Sequence, residues 1–249
     1  GLGMSIGSPL GGQLYEIGPF VPLFGASGLL FGVGLLSVGL TDQPVRGGRR
    51  RLTDIVEAIK NRTELVIPYA YGFIDRFTAG FFALVGTLYF RTSFELSPGA
   101  TGILLALFFA PFALFQYPFG ILSDRIGRTI PIVGGSILYG FGVLGVGLSP
   151  SPELAGGMMA VSGILGALMA PATMALVTDI SPVGERGTTM AGFNIFGSAG
   201  FLAGILVGGI VASRVGYFAA FLTAAGAEIA IAILTLPVLL HWHGSANTQ

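Results

Sequence analysis

Apolar residues run almost unbroken through most of this chain, and polar ones are confined to short breaks between the runs. An α-helix rises about 1.5 Å per residue, so a bilayer core of about 30 Å takes roughly 20 apolar residues to cross. Seven stretches reach that length: Pro19–Leu40, Val66–Phe90, Gly99–Leu122, Ile130–Ser149, Glu153–Thr178, Thr188–Ser213 and Tyr217–Leu240. An eighth, Gly1–Leu14, is too short to span. It opens on Gly-Leu-Gly and has no basic stretch followed by a cleavage site, so it reads as a truncated helix and not a signal peptide. The pattern predicts an all-α polytopic membrane protein, of which this chain is expected to be a fragment.

Composition narrows the class. Of 249 residues, 53% are hydrophobic and 10% charged, which sets the chain apart from soluble domains. The 41 glycines lie inside the apolar runs without a three-residue period, as helix-packing residues do. Twelve basic and twelve acidic residues give no net charge, and with it no global electrostatic case for nucleic acid as a partner. The absence of cysteine excludes disulfides, thiolate metal sites and a thiol nucleophile. No nucleophile–base or metal-ligand constellation stands among the few polar residues, so neither an enzyme nor a cofactor or metal is expected.

The basic residues orient the helices. Arg46, Arg49, Arg50, Arg51, Lys60 and Arg62 share one long loop, Arg125 and Arg128 follow Leu122, and Arg186 follows Thr178. With alternate crossing all of these lie on one face, against Arg91 and Arg214 on the other. The positive-inside rule makes the richer face cytoplasmic, together with residues 41–65 and the C-terminus. Within that loop Leu52, Ile55, Val56 and Ile59 recur at helical spacing behind an Asp54-x-x-Glu57 start signal. A short helix on the membrane surface is expected there, or else a solvated linker.

Gly3, Gly7, Gly11 and Gly12 match Gly200, Gly204, Gly208 and Gly209 at one constant offset, and a short turn and a further apolar helix follow both sets. Six crossings occupy that period. The repeat implies a six-plus-six design in which residues 1–40 end the first half, 41–65 link the halves, and 66–249 form the second. The first four or so helices would then be partners supplied from upstream.

The segment Gly120-Ile-Leu-Ser-Asp124-Arg125-Ile-Gly127-Arg128 resembles the G-x-L-[AS]-D-R-x-G-R signature of the major facilitator superfamily, which joins the second and third helices of each half. Thr129 stands where that family has a second basic residue. Asp179-Ile-Ser-Pro182-Val-Gly-Glu185-Arg186-Gly187 looks like the family's connection between the fourth and fifth helices of a half. The resemblance implies the major facilitator fold. It also implies a latch, in which the signature cluster holds the cytoplasmic side closed and breaks when the protein opens inward; an anchor with no switching role is the other reading. Physically, Gly127 suits a tight turn and Gly120 a close helix approach. Asp124 would lie near the positive end of the helix starting around Thr188. Arg125 and Arg128 have Asp179 and Glu185 as available partners.

Asp75 and Arg76 fall near the middle of the second span, and Glu228 near the middle of the last. An ionisable group at that depth costs about 2.5–3.5 kcal/mol on insertion scales, which makes each a candidate site. Asp75 shares a helix face with Tyr71, Thr78 and Phe82, a stripe suited to a water-filled cavity and to binding substrate or protons. Arg76 shares its face with Gly72 and Gly80, where it either meets an anionic group or braces a neighbouring helix. Neighbouring residues diverge by about 100°, so Asp75 and Arg76 are not expected to pair face to face. Glu228 sits among Ala224, Ala225 and Ala227, a setting for a protonatable site or for a buried, paired carboxylate. Gln116 and Asn194 either line a cavity or bond to a neighbouring helix.

The resemblance implies a secondary active transporter of a small solute working by alternating access in the plasma membrane, with proton-coupled efflux as the narrower form. The Gly3–Gly12 stretch resembles a glycine and proline motif of family exporters, with Ser8 intervening before Pro9. A channel, and a receptor or assembly subunit without transport, are the alternatives.

Overall fold

The computed structural model describes residues 2–40 and 52–246, and every described element is helical. Helices α1 (Leu2–Ile17), α2 (Val21–Leu40) and the short α3 (Leu52–Asn61) come first. A single 3-10 turn at Thr63–Leu65 leads into α4 (Val66–Phe81), which passes through a π turn at Phe82–Gly86 into α5 (Thr87–Ser93). Helices α6 (Pro98–Ile126), α7 (Thr129–Gly147), α8 (Pro152–Ile180), α9 (Arg186–Arg214) and α10 (Tyr217–Ala246) follow. Among the described residues, seven runs are long and apolar enough to cross a bilayer, with α4 and α5 counting as one. They are the seven of the hydropathy pattern with ends moved by a few residues, and the protein is an integral, multi-pass membrane protein. Arg46, Arg49, Arg50 and Arg51, on which part of the expected orientation rests, lie outside the described residues.

Local chemistry sets the helix ends. Ser97 accepts the N–H of Ala100 at 3.2 Å and Ser151 that of Leu154 at 3.4 Å, and each is followed by a proline whose missing N–H is no loss in a first turn. Gly127, at φ 87°, ends α6, and Gly216, at φ 110°, turns α9 into α10; side chains rarely adopt such values.

Lipid tails are as apolar as the helices, so association depends on close packing rather than on hydrophobic exclusion. The ridge on α9 provides it against α4. A Cβ at Gly200 would strike the Phe73 carbonyl, and one at Gly204 the Phe77 carbonyl. On the far side of α4, α7 and α10 close in, with a Cβ at Gly140 only 2.9 Å from the Ala225 carbonyl. Phe81, Tyr89 and Phe221 form an edge-on aromatic cluster between α4, α5 and α10, with ring centroids 4.9–5.0 Å apart.

The α1 ridge and the linker helix have surroundings of their own. The ridge on α1 has the spacing of the α9 ridge but other surroundings: Gly3, Gly7 and Gly11 meet nothing within 4 Å, and Gly12 packs on the Pro98 carbonyl of α6. The linker helix forms over Leu52–Asn61, yet it is not simply laid on a membrane surface. Ile55 and Ala58 are buried with Leu65, Tyr69, Val177 and Phe193, against the ends of α4, α8 and α9, with Ile59 partly buried beside them, while Val56 of the expected stripe is exposed.

Candidate functional site

Ionic contacts gather at the face where α6, α8 and α10 end and α4, α7 and α9 begin, termed the basic face. Arg128, in the turn after Gly127, is the hub. Its Nε donates to Asp179 at 2.9 Å at the end of α8, and its Nη1 donates to Ser123 at 2.6 Å and to Asp124. The guanidinium thereby ties the ends of α6 and α8 to the start of α7. Burial opposes its charge, but the hydrogen bonds it donates to Asp179 and Asp124 outweigh that and raise its pKa. Charge-assisted bonds of this kind are about twice as strong as neutral ones.

The rest of the signature is looser than expected. Arg125 and Arg186 are exposed and make no ion pair among the described residues. Glu185 goes to Arg62 instead, at 3.7 Å and largely exposed, a pair worth about 0–1 kcal/mol. Arg62 also donates to the Ile180 carbonyl. Asp124 is held by Arg128, not by the first N–H groups of α9, which leaves the helix-dipole argument without a contact among the described residues. Gly120 marks no close approach, since its nearest neighbour would be Pro171 at 3.9 Å. Thr129, at the variant position of the signature, is buried and donates to the Leu239 carbonyl of α10 at 3.3 Å.

The second cluster lies at mid-depth. Glu228 on α10 is completely buried; its Oε1 accepts from Thr78 on α4 at 2.8 Å and its Oε2 from Ser136 on α7 at 3.0 Å. The Tyr71 and Thr235 hydroxyls meet at 2.8 Å, farther along α10. Tyr139, on the same helix as Ser136, is buried as well. Tyr71, Thr78 and Phe82 are therefore packed against α10 and do not line an open cavity.

Asp75, a quarter exposed, is the member of that stripe that reaches open space, and the Arg76 side chain beside it is about half exposed. Their charged atoms stand 4.0 Å apart, closer than the helical angle suggested but without a hydrogen bond among the described residues. The Arg76 stem lies on α9, 3.1 Å from where a Cβ of Gly197 would be, while its guanidinium stays outside the packed interface. Asn194 is exposed and bonds its own helix at the Met190 carbonyl, and Gln116 is half-buried beside exposed Tyr117. Neither amide joins the cluster around Glu228.

Sequence reasoning passed over Ser136, Thr235 and Tyr139, although polar residues at mid-span depth are a usable signal. It also passed over Glu16. At the face opposite the basic one, Glu16 of α1 accepts the Gly99 N–H at the start of α6 at 2.9 Å. A cleft of about 320 Å³ adjoins it, lined by Tyr15, Thr87, Arg91 and Leu105 among others.

Carboxylates at intramembrane depth, glycine-ridged spans and an arginine hub on one face define a polytopic helical membrane protein with an ionic centre. The Major Facilitator Superfamily is matched over residues 69–246, and the chain belongs to it. It is 33% identical over 127 residues to the inner membrane transport protein YajR of Escherichia coli, which is 50% of this chain and 27% of YajR. It is 32% identical over 155 residues to the MFS-type transporter MJ1560 of Methanocaldococcus jannaschii, covering 57% and 38%. Similarity to the multidrug efflux pump LfrA of Mycolicibacterium smegmatis is 33% over 109 residues, covering 42% and 21%. The matched stretches thus span well under half the length of each relative.

Proposed function

We propose that the protein works as a secondary active transporter of a small solute by alternating access in the plasma membrane, with protons as the coupling ion and efflux as the direction. In this reading 66–249 is the second six-helix half, 41–65 is the linker, and 1–40 is the end of a first half whose other helices precede it. The linker and the C-terminus face the cytoplasm. The observation that carries the reading is the presence of two carboxylates at intramembrane depth, Asp75 a quarter exposed beside Arg76 and Glu228 fully buried among the Thr78 and Ser136 hydroxyls, in a chain of this family. Such groups are costly in lipid and mark ion or substrate pathways. Half-exposed Arg76 supplies a cation beside the entry carboxylate, where an anionic solute group would bind.

Alternating access needs closures at both ends that break in turn. Arg128 with Asp124 and Asp179 supplies one at the basic face, and Glu16 on the start of α6 supplies the other. The name of LfrA supports efflux as the direction. The deciding experiment is proton-driven counterflow in proteoliposomes. Saturable, pH-gradient-dependent exchange supports the transporter; unsaturated conductance would mark a channel, and no flux at all would leave a receptor or assembly subunit.

A further inference from the structure

Glu228 sits in a fully buried cage whose donors to its two oxygens, Thr78 and Ser136, are neutral. An ionised carboxylate so placed gives up hydration that two hydroxyl bonds replace only in part. Hydroxyls differ from lysine or arginine in being able to accept as well as donate. With the carboxylate ionised, Thr78 donates to Oε1 and Ser136 to Oε2. With a proton on Oε1, the carboxyl donates to the Thr78 oxygen, and the Thr78 hydrogen turns to the Ile74 carbonyl 3.3 Å away. Ser136 keeps its choice between Oε2 and the Glu228 carbonyl, both at 3.0 Å. Every polar group has a partner in both states, so the proton can come and go without leaving an orphan.

We propose that Glu228 is a proton-binding site, and that the Thr78 hydroxyl reports its loading to α4. A threonine bonded back to the carbonyl four residues earlier bends its helix slightly. In α4 that bend falls one turn before the π turn at Phe82–Gly86, where the α-helical ladder of this span is already interrupted. The titratable groups facing Glu228 are Asp75 and Tyr71 from α4 and Tyr139 from α7, with Arg76 next to Asp75. Asp75 is the port because its side chain alone among the three reaches open space. When one proton leaves the Asp75 carboxyl group and adds to Glu228 Oε1, Asp75 is left anionic beside Arg76 and Glu228 neutral. The net charge inside the bundle is unchanged, while the hydrogen bond that sets α4 has switched.

The site deepens the transport reading, and it is tested without a transported solute. Infrared difference spectra of the full chain in lipid vesicles, taken across about pH 5 to 9, report a protonated carboxyl by its C=O band. The expected result is a titrating band that is lost in Glu228→Gln, a variant whose amide satisfies the same cage. In Ser136→Ala and Thr78→Val, each lacking one donor to the carboxylate, the band should persist about one to two pH units higher. A band unaffected by Glu228→Gln, or one assigned to Glu228 that does not titrate, overturns the proposal. Titration at Glu228 without proton-driven flux would leave this site standing and sink the transport reading; proton-driven flux with no titration at Glu228 would do the reverse.

Discussion

Glu16 of α1 accepts the N–H of Gly99, the second residue of α6, at 2.9 Å, and so joins the first forty residues to the six-span bundle. The Ser97 hydroxyl, and after it the Gly99 N–H, holds the Glu16 carboxyl below the ordinary carboxylate range. A carboxylate at a helix N-terminus is favourably placed against the dipole as well as the orphan N–H groups. Because its pKa is lowered when bound, the contact is fully present above the free carboxylate's pKa and is lost as pH falls through the bound one.

Breaking that contact should open the adjoining cleft. Because the chain has no cysteine, a single Leu105→Cys in the cleft wall reports its accessibility to a water-soluble maleimide. Glu16→Gln should raise the labelling rate several-fold and Glu16→Ala further, since glutamine keeps the acceptor oxygen and alanine removes it. Acidification lowers the reactive thiolate fraction in every background, so the expected outcome is a rate in the unaltered Glu16 background that rises relative to Glu16→Ala at the same pH. Equal rates in all three backgrounds would show that Glu16 does not hold the seam.

At the basic face the hub is the arginine, so Arg128 should tolerate less than its neighbours. Arg128→Lys keeps the charge but not the planar fork that serves Asp179, Ser123 and Asp124 together. Counterflow should fall at least about tenfold, equivalent to ~1.4 kcal/mol in a barrier. Asp124→Asn should abolish it with membrane insertion intact, and Arg125→Lys should change it little. Equal losses at Arg125 and Arg128 would argue for a diffuse charge requirement in place of this geometry.

Most of the fold was legible because lipid imposes a simple rule: every spanning backbone must be helical and apolar for about twenty residues. The seven spans, the stop at Gly127 and the turn at Gly216 follow from that rule and from glycine. The site was legible only by depth. Asp75, Arg76 and Glu228 announce themselves as charges in apolar runs, but the partners of Glu228 are hydroxyls, which apolar helices carry at no visible cost. Ser136 and Thr235 therefore look like ordinary membrane-helix residues until α7 and α4 are brought against α10. Pairing was not legible either: Glu185 and Asp179 flank the same connection, and only the three-dimensional path of Arg62 decides that Glu185 leaves the cluster.

Glycine substitutions separate packing from composition. Gly204→Ala puts a Cβ against the Phe77 carbonyl, a backbone atom that cannot rotate away, whereas Gly157→Ala meets nothing within 4 Å. The first should cost about 1–3 kcal/mol, as overpacking typically does, and the second close to nothing. Thermal unfolding midpoints of the two variants in the same detergent measure the difference, and similar midpoints would contradict the α4–α9 seam.

Asp75 and Arg76 together test coupling against binding. Asp75→Asn removes the exposed carboxylate but keeps its hydrogen-bonding shape, and the proton that would pass to Glu228 loses its entry group. Efflux driven by a pH gradient should then fall at least about tenfold, while solute exchange at equal pH on both sides persists, because exchange needs the site but no net proton movement. Arg76→Gln should do the opposite for an anionic solute: KM for exchange rises with little change at saturation, since the stem that packs on Gly197 is largely retained and only the charge is lost. If Asp75→Asn instead abolishes exchange and driven efflux alike, Asp75 binds the solute itself, and the division of labour between the two neighbours is wrong.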